Sequence, residues 1–189
     1  MIEAKRAMRA AMRAAVEAMD GDQRTTATAM LTATLWAEAG PLRAAVSPGA
    51  VLMGFMPLPD EIDPTSAMQR WLDRGGRLAV PVSDWDTRSM EASVVASLAG
   101  DLFEAGRHGI REPRDPSPVA AEALAVILVP GLAFDASGGR LGRGAGFYDR
   151  FLPRLSQDCL VIGVCHAEQV VEVVPVDPLD CRVASVVAV

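Results

Sequence analysis

Residues 138–150 read GGRLGRGAGFYDR and gather five glycines, three arginines, an aromatic pair and an aspartate. Fixing a glycine costs conformational entropy, so a cluster of them points to backbone that must adopt conformations, or permit approaches, closed to other residues. In Gly142-Arg143-Gly144-Ala145-Gly146 every second residue is glycine, which lets backbone N–H groups turn inward on one anion. Arg140 and Arg143 can add charge-assisted hydrogen bonds, and a helix starting after the loop offers its positive end. The ligand this chemistry suits is a polyphosphate. The loop is not a Walker A motif, because no Gly-Lys-Ser/Thr follows, and it is not G-x-G-x-x-G. A flexible surface turn is the other reading of the same residues.

Three further groups have chemical potential. Asp149, just after the loop, is either a Mg²⁺ ligand, since that ion takes one or two carboxylates beside phosphates, or a first-turn aspartate favoured by the helix dipole. Glu61 is one of three acids in PLPDEID, on a proline-rich loop where acids are ordinarily solvated. Lys5, Arg9 and Arg13 are spaced four apart and line one helix face, which either meets an anion or simply solvates the helix. His108 and His166 lie in no nucleophile pattern and read as ordinary polar residues. Cys159, Cys165 and Cys181 have no metal-ligand spacing and read as small, reduced, buried side chains.

The elements that must position these groups follow from periodicity. A helix is expected over 3–19, where Met8, Met12, Ala15 and Met19 form an apolar stripe. Asp20-Gly21-Asp22 ends it and caps a second helix over 23–39, which Gly40-Pro41 stops. Strands are expected at 50–56, at 77–82, near 91–96, in the apolar run that opens ALAVILVPGLAF (123–134), and at 159–165 and 184–189. Helices are expected at 65–74 and 146–156, and 83–118 is the least patterned stretch. Alternating apolar strands and helices predict one α/β domain over 1–189, a three-layer α/β/α arrangement with a mostly parallel central sheet. The glycine cluster follows a central strand, and ligands of such sheets collect outside the carboxyl ends of strands.

Composition narrows the function classes. A length of 189 residues suits one domain, and 50% apolar with 22% charged residues is the balance of a globular protein. A net charge of -6 argues against a general nucleic-acid or membrane-surface binder. No run approaches the ~18 apolar residues of a membrane span, and no signal-peptide pattern is present, so a cytoplasmic protein is expected; a monomer is the expected state.

The stretch VPGLAFDASGGRLGRGAGFYDRFL (129–152) resembles the signature of the 5-formyltetrahydrofolate cyclo-ligase family, also called methenyltetrahydrofolate synthetases. Supporting pieces run in the same order along the chain: Lys5-x-x-x-Arg9, MGFMPLPDEID (53–63), GGRLAVPV (75–82), GIREP (109–113) and EQVVEVVPVDPLD (168–180). The resemblance implies conversion of 5-formyltetrahydrofolate and ATP to 5,10-methenyltetrahydrofolate, ADP and phosphate with Mg²⁺. The formyl oxygen would attack the γ-phosphate, and N10 of the folate would then close the ring as phosphate leaves.

Carried onto this chain, the resemblance assigns Lys5 and Arg9 to ATP phosphates. The stretch Arg140, Leu141, Gly142, Arg143, Gly144, Ala145, Gly146, Phe147 and Tyr148 would wrap the nucleotide. Arg143 and Tyr148 would stand nearest the chemistry. Met56, Glu61, Arg143, Gly144, Ala145, Gly146 and Phe147 would border the folate, and Asp149 and Asp180 would hold Mg²⁺. The chain departs from the family pattern at Phe147 (a tyrosine in the pattern), Leu179 (histidine), Ala184 (aspartate) and Ala188 (threonine). Two alternatives remain at this level. One is a non-catalytic folate- or ATP-binding paralogue, which the C-terminal departures favour. The other is a sugar-phosphate isomerase or CoA-transferase type of enzyme, which would need neither ATP nor the Lys5/Arg9 pair.

Overall fold

A computed structural model describes all of residues 1–189. Seven strands form the central sheet: β1 (Val51–Met53), β2 (Arg77–Asp84), β3 (Ser89–Val95), β4 (Pro118–Val119), β5 (Leu124–Val129), β6 (Leu160–Cys165) and β7 (Ser185–Ala188), in the order β7-β6-β5-β1-β2-β3-β4. The pairs β1–β2, β1–β5, β5–β6 and β6–β7 are parallel, and β3 runs antiparallel to both neighbours. The mostly parallel α/β sheet read from the sequence is therefore present. Chain order reverses between β1 and β5, which opens a crevice beyond their carboxyl ends.

Strand alternation builds two cores. Leu52, Leu78, Val80, Val126, Leu128, Ile162 and Val164 face a layer of α2 (Gly21–Leu35), α3 (Pro41–Ala45) and α4 (Thr65–Asp73), where Leu31, Leu35, Leu42, Met68 and Trp71 are fully buried. Val51, Met53, Ala79, Ile127, Val129 and Cys165 face the other way, under Phe134, Phe151, Leu152 and Val183. A register shift between Val51 and Leu52 lets Leu124 and Val126 both pair with β1 while facing opposite sides. The second layer is built from α5 (Phe147–Phe151), a 3₁₀ turn over Leu152–Arg154 and a short hairpin pairing Ala133–Phe134 with Arg140–Leu141. The first helix, α1 (Ile2–Glu17), lays Met8 and Met12 on Ala133, Leu141 and Val174 of this hairpin and the C-terminal loop.

Local chemistry sets the boundaries. Asp20 accepts from Gln23 N at 2.8 Å while its own N–H donates to Gln23 Oε1 at 2.9 Å, a reciprocal cap that starts α2 at Gly21. Gly40-Pro41, read as a stop, instead opens α3, since proline suits a first helical turn. The strand expected over 50–56 pairs only through Met53. Gly54 N then donates to Ala79 O at 3.0 Å and the chain turns toward the crevice, where Phe55 and Met56 line a cavity. The helix expected over 146–156 is α-helical only to Phe151, because Pro153 follows and tightens the next turn to 3₁₀. β3 is longer than expected, pairing along most of β2.

Asp135 fixes the hairpin under the site. Its carboxylate, 5% exposed, accepts from Ser137 N (2.9 Å), Ser137 Oγ (2.6 Å), Gly139 N (2.9 Å) and Val174 N (2.8 Å). One side chain thus ties the approach to the glycine loop to the C-terminal loop. Burial opposes its charge, but these donors outweigh burial and hold its pKa at about 2.

Candidate active site

The crevice holds a cavity of about 670 Å³, within the range of small-molecule sites. Four segments supply its charged and glycine-rich part, and the β2–β3 hairpin closes another side. α1 contributes Ile2, Lys5 and Arg9 from one face, the loop after β1 contributes Met56 and Glu61, the glycine loop and α5 contribute Arg140 through Arg150, and the C-terminal loop contributes Asp177, Leu179 and Asp180. Every residue that the resemblance assigned to the site lines this one cavity.

The glycine loop is held open by backbone geometry. Gly144 has φ +110° and Gly146, which precedes α5, has φ +73°, both costly for a residue with a side chain. Arg9 Nε donates to Gly142 O at 2.9 Å, so α1 braces the loop from outside. Arg150 braces it from below, donating to Ala145 O and to Arg88 O, each at 2.7 Å. Arg143 reaches across the cavity: Nε donates to Glu61 Oε1 at 2.9 Å and Nη2 to Asp60 Oδ1 at 2.6 Å. Burial alone would lower the Arg143 pKa, but the two acids outweigh it and raise it. In return Arg143 lowers Asp60's pKa against the opposing effect of burial.

A second charged cluster lies at the foot of α1. Lys5 is 8% exposed and donates to Asp177 Oδ2 at 2.7 Å and to Asp180 Oδ2. Burial works against its charge, yet the two aspartates raise its pKa, while Lys5 lowers that of Asp177. Asp180 Oδ2 also accepts from Asp177 N at 2.7 Å. Arg140, 5% exposed, donates from Nη2 to Asp149 Oδ1 at 2.5 Å and lies under the Tyr148 ring at 5.5 Å. Its Nε is buried without a partner. Cys181 N donates to Asp149 Oδ1 at 3.3 Å, so Asp149 and the residue after Asp180 are neighbours. Burial, and after it the Glu61 charge, push the Tyr148 phenol well above its usual range, which leaves a neutral hydroxyl able to donate.

The outer wall comes from the stretch that had no legible pattern. Trp85, in the β2–β3 turn, meets Phe147 edge-on at 4.8 Å, and His108 packs on the same indole at 4.6 Å. Phe147, a departure from the family pattern, thus takes part in an aromatic contact that needs no hydroxyl. His108, read as an ordinary polar residue, supports this wall only through its packing on Trp85. Ile2, Asp60, Asp177, Trp85 and Arg150 are among the site residues that sequence reasoning did not assign. Asp60 and Asp177 adjoin assigned residues, but nothing in their spacing separates them from solvated acids, and Trp85 carries no signal at all.

The model of the 5-formyltetrahydrofolate cyclo-ligase family matches residues 1–189. The chain belongs to that family. It is an ATP-dependent ligase by that membership. Among individual proteins, it is 33% identical over 146 residues to the 5-formyltetrahydrofolate cyclo-ligase of Mycolicibacterium smegmatis, covering 73% of both chains. It is 40% identical over 83 residues to that of Escherichia coli K12, covering 41% of this chain and 44% of the relative. An Aquifex aeolicus 5,10-methenyltetrahydrofolate synthetase superposes with a TM-score of 0.79 at 28% identity, over 97% of this chain and 89% of that one. A Mycoplasma pneumoniae 5,10-methenyltetrahydrofolate synthetase shares the fold, with a TM-score of 0.75 at 18% identity over 96% of each chain. No helix is long and apolar enough to cross a membrane.

Proposed function

We propose that this cavity binds 5-formyltetrahydrofolate beside ATP and closes the folate to 5,10-methenyltetrahydrofolate, releasing ADP and phosphate. The observation that carries the reading is the Arg143 fork: one guanidinium joins the glycine loop, suited to phosphate, to Asp60 and Glu61 on the loop suited to the folate. The two substrates would therefore meet at Arg143.

In this reading Lys5, Arg9 and the backbone of Gly142 to Phe147 receive the phosphates, with Arg140, Leu141 and Tyr148 bordering them. Met56 packs on the folate. Glu61 accepts hydrogen bonds from its pterin donors, and Gly144, Ala145, Gly146 and Phe147 line the shared boundary. The formyl oxygen forms a bond to the γ-phosphorus as the bond to ADP breaks. N10 then attacks the formyl carbon, loses its proton, and the carbon–oxygen bond to phosphate breaks. Phosphorylation turns a poor leaving oxygen into a good one, so the protein's work is alignment and charge neutralisation. In this reading Arg143 takes charge on the transferring group, and the neutral Tyr148 hydroxyl donates to it.

Mg²⁺ fits the donor set. Asp149 has one oxygen held by Arg140 and Cys181 N, Asp180 has one held by Lys5 and Asp177 N, and neither's other oxygen accepts from the protein. The chain thus offers two carboxylates with one free oxygen each. That suits an ion that takes one or two carboxylates and completes its shell with phosphate and water. When bound, it would neutralise phosphate charge between the two loops.

The test is to mix the protein with 5-formyltetrahydrofolate and MgATP and follow the near-ultraviolet absorbance of the methenyl product. Product formation that needs both substrates is expected. Binding of both without turnover would instead support a non-catalytic paralogue.

A further inference from the structure

Two of the most exposed apolar side chains in the molecule sit on the rim of this cavity. Ile2 is 85% exposed and Leu179 is 82% exposed, and both line it. They flank the same ion cluster. Ile2 lies one turn before Lys5 on the same face of α1. Leu179 precedes Asp180 and donates its N–H to Asp177 Oδ1 at 3.0 Å, so one of the two acids that hold Lys5 also fixes this residue's backbone. The rim there is apolar on both sides of a charged floor, and nothing in the folded chain covers it.

The order of groups along α1 says what would. Arg9 touches the glycine loop at Gly142 O, next to the Arg143 fork that leads to Glu61. Lys5 follows one turn away, and Ile2 one turn beyond that, at the far end from Glu61. At 1.5 Å per residue, Arg9 to Ile2 spans about 10 Å. That is comparable with a triphosphate and its ribose. The phosphoryl group to be transferred must sit at the folate end, by the glycine loop. The rest of the nucleotide then runs past Lys5, and its base emerges between Ile2 and Leu179.

We propose that Ile2 and Leu179 form the seat for the purine base of the nucleotide, packing on the ring and losing their exposure when it binds. This rests on the ATP-binding reading above. The two side chains offer apolar surface only, so they contribute affinity through contact and leave the phosphates to Lys5, Arg9 and the loop. Leu179 is itself a departure from the family pattern, and the seat gives its apolar side chain a role.

The experiment compares two ligands, MgATP and inorganic tripolyphosphate with Mg²⁺, by calorimetry on the wild type and on Ile2→Ser, Leu179→Ser and the double variant. Wild type should bind ATP more tightly than tripolyphosphate. The double variant should lose about tenfold in ATP affinity, the scale of partial burial of two aliphatic side chains, while tripolyphosphate affinity holds. ATP affinity unchanged in the double variant would overturn the seat and leave the ATP site standing. Parallel losses for both ligands would also overturn it, because the residues would then be acting on the phosphates or on the fold. Wild type that binds neither ligand would overturn the ATP-site reading itself.

Discussion

Arg143 Nε stands 2.9 Å from Glu61 Oε1, although 82 residues separate them in the chain. The pair joins the loop after β1 to the loop before α5, across the reversal in strand order. Glu61 is further fixed by Leu58 N, which donates to its Oε2 at 3.0 Å. Both oxygens of one carboxylate are thus occupied, and a folate donor arriving at Glu61 must share or replace one of these contacts. The charge on Glu61 restrains the arginine, and in the proposed reading it would also face the folate.

Replacing Glu61 by Gln tests that division. The folate's donors lose a charged acceptor, a deficit of about 1–3 kcal/mol, or roughly 5- to 150-fold in affinity. Arg143 keeps its second arm on Asp60 and loses a competing anion, so ATP affinity should hold or rise slightly. Separate calorimetric titrations with each substrate check this. Equal losses for both would show Glu61 acting on the loop through Arg143 and not on the folate.

Gly144→Ala should weaken ATP binding through backbone strain alone. A methyl group there would lie 3.7 Å from the Arg9 guanidinium, an ordinary contact, but φ is +110°. A side chain in a left-handed conformation costs about 1–2 kcal/mol, so the loop should shift and ATP affinity fall roughly 5- to 30-fold. Gly49→Ala is the control: φ is +84°, nothing lies within 4 Å, and the position is outside the cavity. It should cost comparable stability and leave ATP affinity unchanged. If both variants bind ATP like wild type, the loop does not cradle phosphate.

Asp135→Asn should destabilise the fold in a pH-dependent way. The folded-state pKa is about 2, below the ordinary 3.8, so the charged carboxylate stabilises the folded state above pH 4. That contribution, roughly 2 kcal/mol, is lost as pH falls from about 4 toward 2. Denaturant midpoints at pH 7 should place the variant well below wild type, and the gap should narrow by pH 3. A gap independent of pH would mean that hydrogen-bond geometry, and not charge, is what the substituted amide fails to supply.

The sequence announced the sheet and the loop more clearly than the walls. LAVILV is apolar at every position because β5 is covered on both faces, and that pattern survives in any context. The glycine loop was legible because backbone that approaches an anion needs glycine. Trp85 was not, because its place depends on where a β2–β3 turn lands against α5, which no local period encodes. Asp135 was also silent: its four donors come from residues 137, 139 and 174, and only the folded hairpin brings the last of these near. The ends of β1 and α5 were overextended for a related reason. Apolar residues continue past Met53 and Phe151, but the first set lines a cavity and the second meets a proline.

The two aspartates assigned to the metal should differ in what their loss does. Asp149 lies in the first turn of α5, beside the glycine loop, and Arg140 and Cys181 N both hold its Oδ1. Its remaining oxygen is therefore fixed in direction beside the expected phosphates, and a rigid ligand there cannot be replaced by a mobile one without loss of alignment. Asp149→Asn also leaves the buried Arg140 guanidinium without its anionic partner, a costly change in a site this enclosed. Turnover should nearly vanish. Asp180 comes from the C-terminal loop, and its Oδ2 is shared with Lys5 and Asp177 N. Asp180→Asn leaves Lys5 paired with Asp177, so the cluster persists and water can fill the vacated metal position. The variant should mainly need more Mg²⁺ for half-maximal rate, with a smaller loss at saturation. Titrating Mg²⁺ against rate in both variants, with thermal unfolding to confirm that each is folded, separates the outcomes. An unchanged Mg²⁺ requirement in Asp180→Asn would remove the C-terminal loop from the metal site and leave Asp180 only the task of holding Lys5.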